Sequence, residues 1–293
     1  MAARAAGDGL GRVALLGTGL IGGSLAAALK RHGFATRIVG FSGGDATDGR
    51  DAETALALGL IDEVAATPEQ AVTGCDSVVL AAPVSVNCEL IRRIAPVLPE
   101  GVLVTDVSSV KLPVVAAALR YLGPALSGFV PSHPIAGSER SGPQAADAAL
   151  FDQRTVILSP LPQTEAGNAA CLESIWRRLG ARVVRLDAAE HDRVYALVSH
   201  WPHAIAFALA AAVAHDGTAD ALVGPGLLDL TRTAASSPEL WADILLQNAE
   251  PVLAAADQVG REMERVRSAI SQGDRAALIG LFGQAAAWRR RVG

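Results

Sequence analysis

The chain has 293 residues, of which 51% are hydrophobic and 19% charged, enough apolar material for two domains. A net charge of −5, with basic residues clustered only at Arg289, Arg290 and Arg291, excludes a nucleic-acid-binding reading; that run reads as a solvated helix end complementing the helix dipole. Cys75, Cys88 and Cys171 stand far apart without a CxxC pair, which predicts reduced thiols in a cytoplasmic protein.

Val13 to Ser24 reads VALLGTGLIGGS, an apolar strand followed by three spaced glycines and a helix-like stretch to Arg31. In that context the GxGxxG spacing has a mechanism. Gly17 permits the tight turn, Gly19 lets backbone approach a pyrophosphate, and Gly22 lets helix and strand pack closely. Thr18, Leu20 and Ile21 complete the phosphate-binding turn, so the expected cofactor is NAD or NADP. The apolar run from Val13 to Leu29 does not read as a signal segment, because glycines interrupt it and Lys30-Arg31 follows it. The longest later uninterrupted apolar run, Ala204 to Val213, is half the roughly 20 residues of a membrane span, so no membrane segment is expected.

Further strands are predicted at Thr36–Phe41, Ser77–Ala82, Val102–Asp106, Gly128–Pro131, Thr155–Ser159 and Arg182–Leu186. Helix-length stretches lie between them at Asp51–Leu58, Val86–Leu98, Leu112–Leu119 and Glu165–Leu179. Alternation of β-branched strands with helices predicts a doubly wound, mostly parallel α/β sheet of Rossmann type over residues 1–188. Residues 189–293 contain no convincing strand and predict an all-α second domain. His191 to Ala214 has helical spacing, which Pro202 is expected to kink rather than end. Ser237-Pro238 and Asp274 read as helix starts.

In an open parallel sheet, ligands bind outside the C-terminal strand ends. Three polar or turn motifs are expected there: Ala82-Pro83-Val84, where the nicotinamide ribose would lie; Asp106 to Lys111; and Ser132 to Glu139. His133 is the catalytic candidate, because imidazole titrates near neutrality. Ser109 either orients His133, bonds a substrate hydroxyl, or caps a helix. Lys111 reads as a phosphate contact or a solvated charge, and Glu139 as a gating or surface carboxylate. From the helical half come His203, as a donor to an anionic substrate, and Arg232, a cation in an apolar stretch. Such a stretch predicts a buried guanidinium, which needs either Asp229 or a substrate carboxylate as partner. His200 and His203 stand three apart, but no third ligand has metal-like spacing, so no metal is expected.

Together these blocks resemble the prephenate/arogenate (cyclohexadienyl) dehydrogenase family of tyrosine biosynthesis. The resemblance rests on GTGLIGGS (Gly17 to Ser24), LGLID (Leu58 to Asp62), LAAPV (Leu80 to Val84), TDVSSVK (Thr105 to Lys111), and SHPIAGSERSG (Ser132 to Gly142). It continues through HDRV (His191 to Val194), SHWPHAIAFAL (Ser199 to Leu209) and DLTRTAASSPELW (Asp229 to Trp241). The resemblance implies a helical dimerisation domain, a homodimer, and an active site in the interdomain cleft. It implies oxidative decarboxylation of a cyclohexadienol, with His133 as the base, Ser109 as its hydroxyl-binding serine, and Glu139 as a gating acid. His203 and Arg232 are implied as substrate-carboxylate contacts.

Two positions depart from the family pattern. Many members carry an acid at the end of the second strand, where this chain has Ser42; the missing negative charge leans the expectation toward NADP. Leu228 stands where many members carry Lys or Arg near the substrate. Two other readings compete with this one. A β-hydroxyacid or pyrroline-carboxylate type of dehydrogenase would place its essential Lys or Ser in the helical half. A cofactor-sensing regulator would bind NAD(P) without turnover.

Overall fold

The computed structural model describes residues 9–43, 48–137, 140–216 and 222–292. The sheet half runs β1 (Gly11–Leu16), α1 (Leu20–Arg31), β2 (Ala35–Phe41), α2 (Asp48–Ala57), β3 (Glu63–Val64), α3 (Pro68–Val72) and β4 (Ser77–Leu80). It continues with α4 (Val84–Ile94), β5 (Leu103–Asp106), α5 (Leu112–Tyr121), β6 (Phe129–Pro134), β7 (Thr155–Leu158), α6 (Ala166–Arg178) and β8 (Arg182–Arg185). The strands form one sheet in the order β3-β2-β1-β4-β5-β6-β7-β8. Order reverses on either side of β1 and β4, which opens the switch-point crevice where α/β folds bind ligands.

Every residue of β4 and β5 is buried, because helices cover both faces. On one side α1 and α6 pack Leu25, Leu29, Leu172 and Trp176 against the sheet. On the other, α4 and α5 bring Ile91, Ile94, Val114 and Ala118. Full burial of a side chain such as Leu29 or Ile91 contributes about 1.5–3 kcal/mol. The short β3 and α3 were not expected from the sequence. Two-residue strands have no periodicity, although Thr67 capping Gln70 and Pro68 at the first turn form a legible helix start.

One strand differs in a way that matters. β6 does not stop at Pro131 but runs through Ser132, His133 and Pro134. Its parallel pairing with β5 ends at Pro131, and β7 then holds it antiparallel from the other side, with His133 opposite Ile157. His133 is therefore fixed in a strand rather than carried on a loop.

The helical half begins with α7 (Ala188–Tyr195), a five-residue π turn at Ala196–His200, and α8 (Trp201–Asp216), which form one rod. Pro202 has no N–H to give the ladder, and the wider turn just before it absorbs the mismatch without ending the helix. Then follow α9 (Pro225–Thr231), α10 (Pro238–Gln247), α11 (Ala249–Ser271) and α12 (Arg275–Val292). Ser237 caps α10 through Leu240 N at 3.2 Å, and Asp274 caps α12 through Ala277 N at 2.9 Å. Among the described residues from Ala188 onward there is no strand.

The rod from Ala188 to His215 is long and apolar enough to cross a membrane by length and composition, a property that counting uninterrupted apolar residues misses. Within one copy, only 17% of its most apolar window is buried. Its buried His191, Asp192 and His200 nonetheless make polar contacts with neighbouring protein elements, which a lipid-embedded helix would not use. α12 buries no residue, and Leu246, Met263, Phe282 and Trp288 are exposed.

Candidate active site

The glycine turn forms a cradle whose dimensions the backbone sets. Gly17 has φ +107°, and a Cβ there would lie 2.4 Å from the Ala81 carbonyl carbon. A Cβ at Gly22 would lie 2.0 Å from the Gly17 oxygen, so α1 can approach β1 only with glycine at that position. Gly19 differs, since a Cβ there would meet nothing within 4 Å. It is also the N-cap of α1, without a side-chain cap and with no acid in the first turn. The leading N–H groups of α1, from Leu20, Ile21 and Gly22, therefore face open space suited to a pyrophosphate. A dinucleotide fits this cradle.

Ser42 at the end of β2 accepts from Thr18 N at 3.3 Å and shares a 2.6 Å hydroxyl contact with Thr18 Oγ1. The hollow beside it is lined by Phe41, Gly43, Pro68, Leu90 and Arg93, whose guanidinium is held by Glu69. At the end of β4, buried Asn87 donates to the Ala82 carbonyl at 2.8 Å and to Ser108 Oγ at 2.9 Å. This tie joins two strand ends beside Pro83, the N-cap of α4, whose first residue is Val84.

Lys111 is not solvated. It is completely buried, paired with Asp106, and donates to the Ser132 carbonyl at 2.6 Å. Asp106 also accepts from Ser132 N at 3.2 Å and Ser108 N at 3.0 Å. An ammonium removed from water requires such compensation, so this pair clamps β5 to β6 immediately before His133. Burial lowers the Lys111 pKa, and Asp106 opposes the shift.

His133 heads a chain of three side chains. His133 Nδ1 lies 2.8 Å from His191 Nε2, and His191 Nδ1 lies 2.8 Å from Asp192 Oδ1. Asp192 also accepts from Lys111 N and Leu112 N, each at 2.8 Å, and so caps α5 from the helical half. Tyr195 stacks on His191 with centroids 4.6 Å apart and tilts against His133 at 5.1 Å. Burial pushes the pKa of His133 well below the ordinary imidazole value, and the neighbouring His191, Lys111 and His200 add to that. His191 is also lowered by burial, against the opposing pull of Asp192.

Ser109 is half-buried and neither orients His133 nor caps α5; Asp192 performs the capping, and His191 holds the ring. The Ser109 backbone interacts with His200, whose pKa burial lowers to about 4. His200 Nδ1 lies 3.0 Å from the Asn248 amide, which also donates to the Asp192 carbonyl at 2.9 Å. His203 instead bonds the Ser199 carbonyl at 2.8 Å and stacks on Trp241 at 3.6 Å. The two histidines that stand three apart are thus committed elsewhere, and the described residues contain no cluster arranged for a metal.

Arg232 departs from its expected burial. It is exposed on the 3-10 turn after α9 and forms no ion pair with Asp229 among the described residues. α9 itself buries no residue, and Leu228 beside it is 59% exposed. Arg232 does approach His203 closely enough to lower its pKa. Glu139 lies outside the described residues. Sequence reasoning missed Asp192, Asn248 and the orienting role of His191. Two adjacent polar residues in a helix have no distinctive spacing, and only their full burial marks them.

A glycine cradle at one set of strand ends, a strand-held histidine at another, and a helical half locking that histidine define a two-domain NAD(P)-dependent oxidoreductase. Residues 25–185 match the family model described as prephenate dehydrogenase, nucleotide-binding domain, and residues 187–284 match its dimerization domain. The chain belongs to the prephenate dehydrogenase family.

Prephenate dehydrogenase of Bacillus subtilis is 35% identical over 282 residues, covering 94% of this chain and 75% of that protein. Cyclohexadienyl dehydrogenase of Zymomonas mobilis is 36% identical over 267 residues, 89% of each chain. The crystal structure of Aquifex aeolicus prephenate dehydrogenase, in complex with hydroxyphenyl propionate and NAD+, superposes with a TM-score of 0.88. It is 31% identical and covers 98% of this chain and all of that one.

Proposed function

We propose that this chain catalyses the NAD(P)-dependent oxidative decarboxylation of prephenate to 4-hydroxyphenylpyruvate. The observation that carries the reading is His133, held near the end of β6 with Nδ1 2.8 Å from His191 Nε2, so that Nε2 stands outside that contact. When bound, the nicotinamide supplies the hydride acceptor. His133 Nε2 takes the proton of the substrate hydroxyl as the carbonyl forms. Ser109 bonds that hydroxyl, a role supported by its position beside His133's support network. Loss of the ring carboxylate as CO2 returns its bonding pair to the ring, which becomes aromatic.

Both cofactors are accepted, with a lean to NADP. The support is the absence of a carboxylate at Ser42 and the presence of Arg93 in the same hollow. Prephenate is preferred over arogenate, with His203 and Arg232 facing the side-chain carboxylate region and Glu139 gating it, as the family resemblance implies. The working unit is a cytoplasmic homodimer. Three free cysteines support the compartment, and the dimerization-domain match with exposed apolar residues on α10 to α12 supports the dimer. We place the domain boundary at residues 188/189, just after β8 and at the start of α7.

The test is a matrix of initial rates, prephenate or arogenate against NAD or NADP, run on wild type and His133→Asn. Wild type is expected to turn over prephenate with both cofactors. His133→Asn should lose about a hundredfold or more in turnover with cofactor affinity near normal. Undiminished turnover in that variant removes His133 from the reaction.

A further inference from the structure

We infer that His191 and Asp192 are positioning residues for the reaction: they form a one-way hydrogen-bond chain that fixes His133 in the tautomer with Nε2 unprotonated. This rests on His133 being the base. Donor and acceptor roles along the chain follow from its far end. A carboxylate can only accept, so His191 Nδ1 carries the hydrogen that meets Asp192 Oδ1. A neutral His191 then has a lone pair at Nε2, and the 2.8 Å contact requires the hydrogen on His133 Nδ1. His133 Nε2 is thereby left with its lone pair directed away from the chain, ready for a hydroxyl proton.

Asp192 is itself held from three directions. Lys111 N and Leu112 N donate to its carboxylate, and Asn248 donates to its backbone carbonyl. His191 and Asp192 are completely buried, so water cannot exchange for either partner. The groups facing the two rings from neighbouring elements are Lys111 with its partner Asp106, Tyr195, and His200. Burial keeps both histidines neutral near pH 7, as the donor and acceptor roles require.

When His133 takes the substrate proton, its positive charge develops against an acceptor backed by a carboxylate, and no proton need leave His191. This arrangement stabilises an imidazolium without placing a carboxylate in the cleft, where it would repel an anionic substrate. The chain also crosses between domains. His133 belongs to the sheet, and His191 and Asp192 belong to the first helix of the helical half. The base is therefore competent only when the two halves are seated together.

The decisive variants are His191→Phe, which keeps a ring against Tyr195 but cannot accept, and His191→Gln, whose amide oxygen can. His191→Phe is expected to lower kcat by about ten- to hundredfold with KM and cofactor affinity within about threefold of wild type, and to lower the acid-limb pKa of kcat/KM. His191→Gln should recover part of kcat. Imidazole 1H–15N spectra of the wild-type protein should show both His133 and His191 as Nδ1–H tautomers.

An unchanged kcat and acid limb in folded His191→Phe overturns the proposal, as does a wild-type His133 carrying its hydrogen on Nε2. If His191→Phe does not fold, the spectra and His191→Gln decide alone; a His191→Gln no faster than a non-accepting His191→Leu overturns it. Loss of turnover in His133→Asn alongside wild-type kcat in His191→Phe rejects this proposal and leaves the assigned reaction intact. Full turnover in His133→Asn rejects the base itself.

Discussion

His203 lies flat against Trp241, with centroids 3.6 Å apart and an interplanar angle of 17°, while its Nδ1 bonds the Ser199 carbonyl at 2.8 Å. A carbonyl only accepts, so the Nδ1 hydrogen is committed, and a neutral His203 offers the cleft a lone pair at Nε2. The sequence suggests His203 as a donor to an anionic substrate. The structure permits that only for the protonated ring.

A pH-dependent substrate preference follows. Burial lowers the His203 pKa, the Ser199 carbonyl opposes the shift, and Arg232 reinforces it, so the ring is neutral above the ordinary imidazole range. Protonation on acidification creates an Nε2 donor that favours the keto acid and repels the ammonium of arogenate. The ratio of kcat/KM for prephenate over arogenate is expected to stay level near neutral pH and to rise as pH falls below about 6.5. His203→Ala should flatten this dependence. A ratio independent of pH in wild type would show that His203 does not read the side chain.

The glycine turn separates packing from ligand binding. A Cβ at Gly22 meets backbone at 2.0 Å, whereas one at Gly19 meets nothing within 4 Å. Gly22→Ala is therefore expected to lower the melting temperature and abolish cofactor binding together. Gly19→Ala should melt within a few degrees of wild type yet weaken NAD or NADP by about tenfold or more, because its methyl enters only the space of the pyrophosphate. Calorimetry with and without cofactor distinguishes the two. Normal affinity in Gly19→Ala would place the phosphates elsewhere.

Ser42→Asp tests the cofactor lean. Ser42 already bonds Thr18, and an aspartate can keep that contact while presenting a charge to the ribose. Repulsion of a 2′-phosphate across a solvated pocket amounts to a few kcal/mol at most. The expected result is a fall of about tenfold or more in kcat/KM for NADP, with NAD changed by only a few-fold. A wild type that already rejects NADP would assign the discrimination to another group, with Glu89 the acid that lines the same hollow.

What could be read from the sequence divides along physical lines. The glycine turn, the doubly wound alternation, the caps at Ser237 and Asp274, and a helix surviving Pro202 are local patterns, and each has a local cause. His133 was legible because a titrating side chain after an apolar strand is conspicuous. The extension of β6 through His133 was not, since it depends on β7 arriving antiparallel from 22 or more residues later. Lys111 as a buried clamp and Asp192 as both cap and anchor depend on partners 5 and 80 residues away. Arg232 was read as buried from its apolar neighbours, yet those neighbours are themselves exposed on α9 in the single chain.

The buried histidines should also make this fold acid-sensitive. His200 is fully inaccessible, and burial lowers its pKa from 6.5 to about 4, with Asp192 opposing the shift. For a base with a depressed folded pKa, the unfolded chain binds more protons between the two values. Stability present above about pH 6.5 is therefore lost as pH falls toward about 4, and the loss levels off below that. At about 1.4 kcal/mol per pKa unit, His200 alone accounts for up to about 3 kcal/mol, and His133 and His191 act in the same direction. His200→Asn keeps an oxygen to receive the Asn248 amide but has no proton to gain. Urea unfolding at pH 7.5 and 4.5 is expected to show wild type losing more stability on acidification than His200→Asn, with the carboxylate contribution common to both cancelling in the difference. Equal losses in the two proteins would mean that His200 titrates alike in the folded and unfolded chain, and that its place between Asn248 and Ser109 tolerates the charge.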